Sequence, residues 1–120
     1  MILRDPVHGL VSFEAEEESI VPALLEAREL QRLRRVRQTG LASLAYPGAD
    51  HTRFAHAIGS ACVMTRLVRR LRSIHDALPY WQRLTTERAR DALAAALLHD
   101  IGHGPFSHLF EQVLPQARRH

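Results

Sequence analysis

The sequence predicts an all-α domain with a short extended arm at its N-terminus. Three observations carry that prediction. Apolar residues recur every three or four places over most of the chain, capping residues or prolines stand at the boundaries of these stretches, and no alternating pattern competes with them beyond the first residues. From Arg4 to Phe13, the turn Asp5-Pro6-Val7-His8-Gly9 leads into the extended piece Leu10-Val11-Ser12-Phe13. The acidic run Glu14 to Glu18 ends it, so residues 1–20 read as a loop or small hairpin arm and residues 21–120 as the helical domain. Leu24, Ala27, Leu30, Leu33 and Val36 then predict one helix from Pro22 to Arg37, basic on its outer face and closed by Gly40. Tyr46-Pro47-Gly48-Ala49-Asp50 is a turn. Asp50 or Thr52 caps the next helix, in which Phe54, Ile58, Ala61, Thr65 and Val68 repeat to about Ile74 and His56 lies near the first turn. Pro79 and the cap candidate Thr86 introduce a further helix through Leu93, Leu97 and Leu98 to His99, with Glu87 well placed in its first turn. Gly102 breaks that helix, and a last short one is expected from Phe106 to Leu114, before Pro115.

At 120 residues and 46% apolar content, one domain with a modest core is expected. The single cysteine, Cys62, excludes an internal disulfide and reads as the inside of a packed helix. Met1-Ile2-Leu3-Arg4-Asp5-Pro6 meets charge and proline before any signal-peptide core forms, and the apolar run Ala92 to Leu98 is too short to span a bilayer. The expectation is a soluble cytoplasmic protein with no membrane partner. Net charge is +3, and all 16 basic residues are arginine. Arginine holds phosphate in a bidentate fork, although a lysine-free composition equally reflects genome-wide bias.

The chemistry concentrates in Leu97-Leu98-His99-Asp100-Ile101-Gly102-His103-Gly104-Pro105-Phe106-Ser107-His108. His56 stands near the start of one helix and His99-Asp100 at the end of another, so an antiparallel pair of these helices brings two imidazoles and a carboxylate to the same level. Such a donor set suits a divalent ion and leaves coordination positions open to water or a phosphate oxygen. The plain alternative for His99 and Asp100 is a buried, hydrogen-bonded helix cap.

The segments Asp5-Pro6-Val7-His8-Gly9, Leu30-Gln31-Arg32-Leu33-Arg34, Arg37-Gln38-Thr39-Gly40, Tyr46-Pro47-Gly48-Ala49, His51-Thr52-Arg53-Phe54-Ala55-His56 and His99 through His108 resemble, in order, the HD-domain phosphohydrolases. Within them, the chain resembles most the deoxynucleoside triphosphate triphosphohydrolase branch, which includes the sterile-alpha-motif/HD enzymes. The resemblance implies that His56, His99 and Asp100 bind a divalent metal, with manganese, magnesium, zinc, iron and nickel not distinguished. It implies that Arg53 contacts substrate phosphate, that Gln38 touches the sugar, that His103 lies against the phosphates, and that His108 protonates the leaving oxygen. The substrate implied is a nucleotide, a dNTP cleaved to deoxynucleoside and triphosphate. Gln31 and Arg34 match positions that bind a regulatory nucleotide in some relatives.

The pattern departs from the family in places. The family completes its metal site with an aspartate far downstream, for which this chain offers no counterpart. Glu111 stands where relatives carry an aspartate, and Thr39 replaces an apolar residue. The two substitutions bear on substrate positioning, while the absent aspartate predicts a C-terminally incomplete HD fold whose exposed apolar faces favour a homo-oligomer or a partner chain. The alternative is a non-catalytic interaction subunit that binds a protein or nucleic acid. A nucleoside monophosphate or a nucleic-acid end is an alternative substrate. His8, His51, His75 and His120 are expected to be surface or turn residues.

Overall fold

The structure, a computed structural model, describes residues 2–5 and 7–106. Its elements are a hairpin of β1 (Ile2–Asp5) and β2 (Gly9–Ser12), and four helices: α1 (Ile20–Leu25), α2 (Arg28–Arg32), α3 (Arg53–Ser73) and α4 (Thr86–Leu98). Short 3-10 turns fill the connections. The strands pair antiparallel with Leu3 opposite Val11 and Asp5 opposite Gly9. The Asp5 carboxylate builds the turn between them by accepting from the amides of Val7 at 2.9 Å and His8 at 2.7 Å. Gly9, at φ +74°, supplies the left-handed conformation that follows. Val11 and Phe13 enter the core, so the arm is packed onto the helices.

Thr52 caps α3 by accepting from the Ala55 amide at 3.2 Å. Beyond Arg53 at its start, its buried residues are Phe54, Ala57, Ile58, Ala61, Cys62, Thr65 and Val68, whose three- and four-residue steps make one largely apolar stripe. On α4, Ala89, Leu93 and Leu97 are buried at four-residue steps. The cap is Thr85, which accepts from the Arg88 amide at 3.2 Å, and not its neighbour Thr86 as the sequence suggested. Arg72, at the end of α3, reaches Thr86 at the start of α4, and His56 meets His99 at the opposite ends, so the two helices run antiparallel as predicted. Their stripes, with Leu30 and Leu33, form the centre of the core.

The single helix expected from Pro22 to Arg37 is instead two. It begins at Ile20 and breaks at Ala27, whose ψ of 134° is extended. Leu25 and Leu30 are both buried, and five residues of continuous helix would set them about 140° apart. The break brings both onto the core, and the Gln31 side-chain amide bonds the Leu25 carbonyl at 2.5 Å across it. Beyond a 3-10 turn at Leu33–Arg35, Val36 is extended. Arg37 then bridges to Thr52, while Gln38 N bonds the His51 carbonyl and Arg53 N bonds the Val36 carbonyl. This crossing carries Gln38 to the N-terminal end of α3. The expected helix from Phe106 to Leu114 lies, Phe106 excepted, outside the described residues.

Two carboxylates of the acidic run are buried. Glu17 pairs with Arg72, and Glu18 bonds Arg69 at 2.9 Å while accepting from the amides of Glu14 at 2.8 Å and Ala15 at 3.1 Å. Burial pushes the Glu18 carboxyl up, but these amide and guanidinium bonds outweigh it and hold the group below its ordinary 4.5. Because the folded value is the lower one, the contribution to stability is full above pH 4.5 and is lost as pH falls below that toward the folded value. In Glu18→Gln, the fall of the thermal midpoint between pH 6 and pH 3.5 is therefore expected to be shallower than in the unmodified chain, as read by circular dichroism at ~0.5-unit pH steps.

Candidate metal centre

Two helix ends build the site. His56 sits in the first turn of α3, and His99 and Asp100 follow the last residue of α4. Helix packing at Leu93, Leu97, Phe54 and Ala57 sets these ends side by side. One ligand atom from each of His56, His99 and Asp100 lies within 4.8 Å of the other two. The imidazoles meet edge to face at 5.2 Å between centroids, with Nε2 of His56 and Nε2 of His99 3.2 Å apart. The Nδ1 of His99 lies 2.9 Å from the Ala96 carbonyl. A carbonyl only accepts, so this nitrogen carries the proton, and Nε2 of the neutral ring presents its lone pair to the site. The same backbone contact orients a metal-ligating histidine. Two ring nitrogens at this separation, one of them fixed as an acceptor, are satisfied by a shared proton or by a cation.

Asp100 is the hub. Its Oδ2 accepts from Arg53 Nη1 at 2.6 Å and from Gln38 Nε2 at 3.3 Å, and lies 3.8 Å from His56 Nε2. Its Oδ1 lies 3.5 Å from Nε2 of both His99 and His103. Burial pushes the Asp100 carboxyl up, yet the Gln38 bond and the positive groups around it win and hold it low. Burial is also the main reason the His56 pKa is lowered, against the pull of Asp100. A neutral imidazole beside an ionised carboxylate is the protonation state that a divalent cation requires. The donor set present therefore fits a metal ion: His56, His99 and Asp100 can hold one.

Of the other residues singled out in the sequence, Gln38, Arg53 and His103 all converge on Asp100, and His103 is buried. Arg53 is engaged with the carboxylate instead of facing open space. Gln38 Oε1 and Arg53 Nε are buried without a hydrogen-bond partner among the described residues. His108 and Glu111 lie outside the described residues. Gln31 and Arg34 bond each other at 2.7 Å, and the Arg34 guanidinium stacks 3.8 Å above the Phe54 ring.

A cavity of about 710 Å³ opens beside the centre, bordered by His56 and His99, by the exposed α3 side chains Val63 and Leu67, and by His8 and His51. His8 and His51 were expected to do no chemistry, and nothing in their local sequence shows that the hairpin turn folds back over Gly59 of α3. His75 is also engaged, its Nε2 accepting from the Leu84 amide at 2.7 Å.

Residues 53–120 match the family model of the HD domain, and so span both helices that carry the donors. The chain belongs to the HD-domain family. It is 41% identical over 112 residues to the uncharacterized protein YwfO of Bacillus subtilis, covering 93% of this chain and 24% of that protein. It is 36% identical over 121 residues to the deoxynucleoside triphosphate triphosphohydrolase SAMHD1 of Bos taurus, covering 98% of this chain and 19% of that protein. Among solved structures, a phosphohydrolase from Bacteroides thetaiotaomicron superposes with a TM-score of 0.79 at 39% identity, over 92% of this chain and 25% of that one. The chain thus spans about a fifth to a quarter of the length of these relatives. Among the described residues, no helix is long and apolar enough to cross a membrane.

Proposed function

We propose that this HD domain carries the metal-binding centre of a nucleotide phosphohydrolase that cleaves a dNTP to deoxynucleoside and triphosphate. The observation that carries the reading is the convergence of His56, His99 and Asp100 next to a cavity large enough for a nucleotide. Likeness to a protein named as a dNTP triphosphohydrolase supports the substrate class. A divalent ion bound there would supply Lewis acidity toward the α-phosphate and lower the pKa of a water molecule.

The chain's own residues do the rest. Asp100 and His99 are oriented by Arg53, Gln38 and the Ala96 carbonyl. Arg53 keeps its Nη1 bond to Asp100 and has further guanidinium N–H groups to offer a phosphate oxygen. The Gln38 Oε1, buried and without a hydrogen-bond partner among the described residues, is an acceptor suited to a sugar hydroxyl. His103 stands beside Asp100, where a phosphate chain would pass, and His108 is assigned the proton for the leaving 5′-oxygen. A water oxygen bonds to the α-phosphorus as the bond to the 5′-oxygen breaks, His108 gives that oxygen its proton, and the proton the water loses returns His108 to its starting state. The non-catalytic alternative is not favoured, since all three donor residues are present with their orienting partners.

Incubation with dNTPs and manganese is expected to release deoxynucleoside and triphosphate in equal amounts, read by anion-exchange chromatography, and chelation is expected to stop it. Release of pyrophosphate or monophosphate in their place would contradict the assigned bond.

A further inference from the structure

The arginines between Arg28 and Arg35 look alike in the sequence, but one is set apart by what it touches. Arg32 Nη2, on α2, donates to the carbonyl of Ile101 at 2.7 Å and to that of His103 at 3.1 Å. Both carbonyls belong to the turn that follows α4, the turn that contains Asp100 and His103 and begins at His99. Within it, Ile101 N bonds the Leu98 carbonyl and His103 N bonds the Asp100 carbonyl. A helix end leaves carbonyls without partners and gathers partial negative charge. No basic residue stands in the last turn of α4, so its cation comes from 69 residues away in sequence. Arg28 and Arg35, which border the same surface cavity as Arg32, make no side-chain bond among the described residues.

We propose that Arg32 is a positioning residue for the metal centre. By clasping two carbonyls of one turn, it fixes the path of the backbone from His99 to His103, and with it the directions of the His99 and Asp100 donor atoms. A ligand set tolerates displacements of only about 0.5 Å, and a turn closed by Gly102 has little stiffness of its own. The inference rests on the metal-centre reading above.

The test is a cobalt titration followed by visible absorption, whose bands report coordination geometry, on the unmodified chain, Arg32→Ala and Arg35→Ala. Arg32→Ala is expected to bind cobalt about 10-fold more weakly with altered bands, and added methylguanidinium is expected to restore both. Arg35→Ala is expected to match the unmodified chain. Unchanged affinity and bands in Arg32→Ala would overturn the proposal, as would equal loss in Arg35→Ala. Should Arg32→Ala not fold by circular dichroism, Arg32→Gln carries the same reading, because its shorter amide cannot span both carbonyls. Absence of cobalt binding by the unmodified chain would instead overturn the metal centre itself.

Discussion

Asp100→Ala is expected to lose metal binding by on the order of 100-fold or more, and to be the most damaging single change in the site, because two separate costs fall on one side chain. The first is the loss of the only anionic donor among the three, which removes most of the charge that draws in a divalent ion. The second is structural. Arg53 is 3% exposed, and its Nη1 is bonded to Asp100 at 2.6 Å, so deleting the carboxylate leaves a guanidinium buried without its counter-charge. Removing one partner of a buried pair costs about 3–5 kcal/mol. Asp100→Asn separates the two costs, since its side-chain oxygen still accepts from Arg53 while the negative charge is gone. It is expected to keep more of the stability than alanine and to lose metal binding as thoroughly. Denaturant unfolding alongside a manganese titration reads both effects, and a stable Asp100→Ala that still binds manganese would remove Asp100 from both roles.

Leu97→Ala is expected to lower stability by about 3 kcal/mol, which is roughly 10 °C or more in Tm for a chain of this size. Leu97 is wholly buried in the cluster shared by α3 and α4, two residues before His99. Truncation removes the transfer free energy of the lost atoms and leaves a cavity that close-packed neighbours fill only in part. Against the ~5–15 kcal/mol that holds a domain together, the loss is large. The location adds a functional consequence, because Leu97 helps hold the end of α4 against α3, where His99 and Asp100 must meet His56. Metal affinity is expected to fall with stability in this variant. In Val63→Ala, whose side chain is exposed on α3, stability is expected to stay within about 0.5 kcal/mol. A Leu97→Ala chain as stable as its parent in thermal unfolding would show that the helix ends are held together elsewhere.

The helices that carry the donors were legible because their burial follows one uninterrupted period. Phe54, Ile58, Ala61, Thr65 and Val68 on α3, and Leu93 and Leu97 on α4, all have the predicted spacing. Once these helices are antiparallel, the meeting of His56 with His99 and Asp100 follows. The break at Ala27 was not legible, because Leu24 and Ala27 continue an unbroken period as well as Leu25 does, and only the core decides between them. The cap at Thr85 was missed by one place because Thr86 is the same residue type. The burial of Glu17 and Glu18 was not legible in the acidic run, since their partners Arg72 and Arg69 lie 55 and 51 residues further on. Arg32 was hidden for the same reason, being one of several arginines whose target is distant in sequence. The roles given to Gln38 and Arg53 came from family resemblance, and it is the crossing of Arg37 over Thr52 that sets both beside Asp100.

In the proposed function, the ends of α3 and α4 clasp a divalent cation between them. Calorimetric titration with manganese tests it most directly, using the unmodified chain, His56→Ala and His99→Ala, each first shown to be folded. Saturable binding of one ion per unmodified chain is expected, with loss of that binding in both variants. Absence of saturable binding in the unmodified chain, or binding that survives both substitutions, would contradict it.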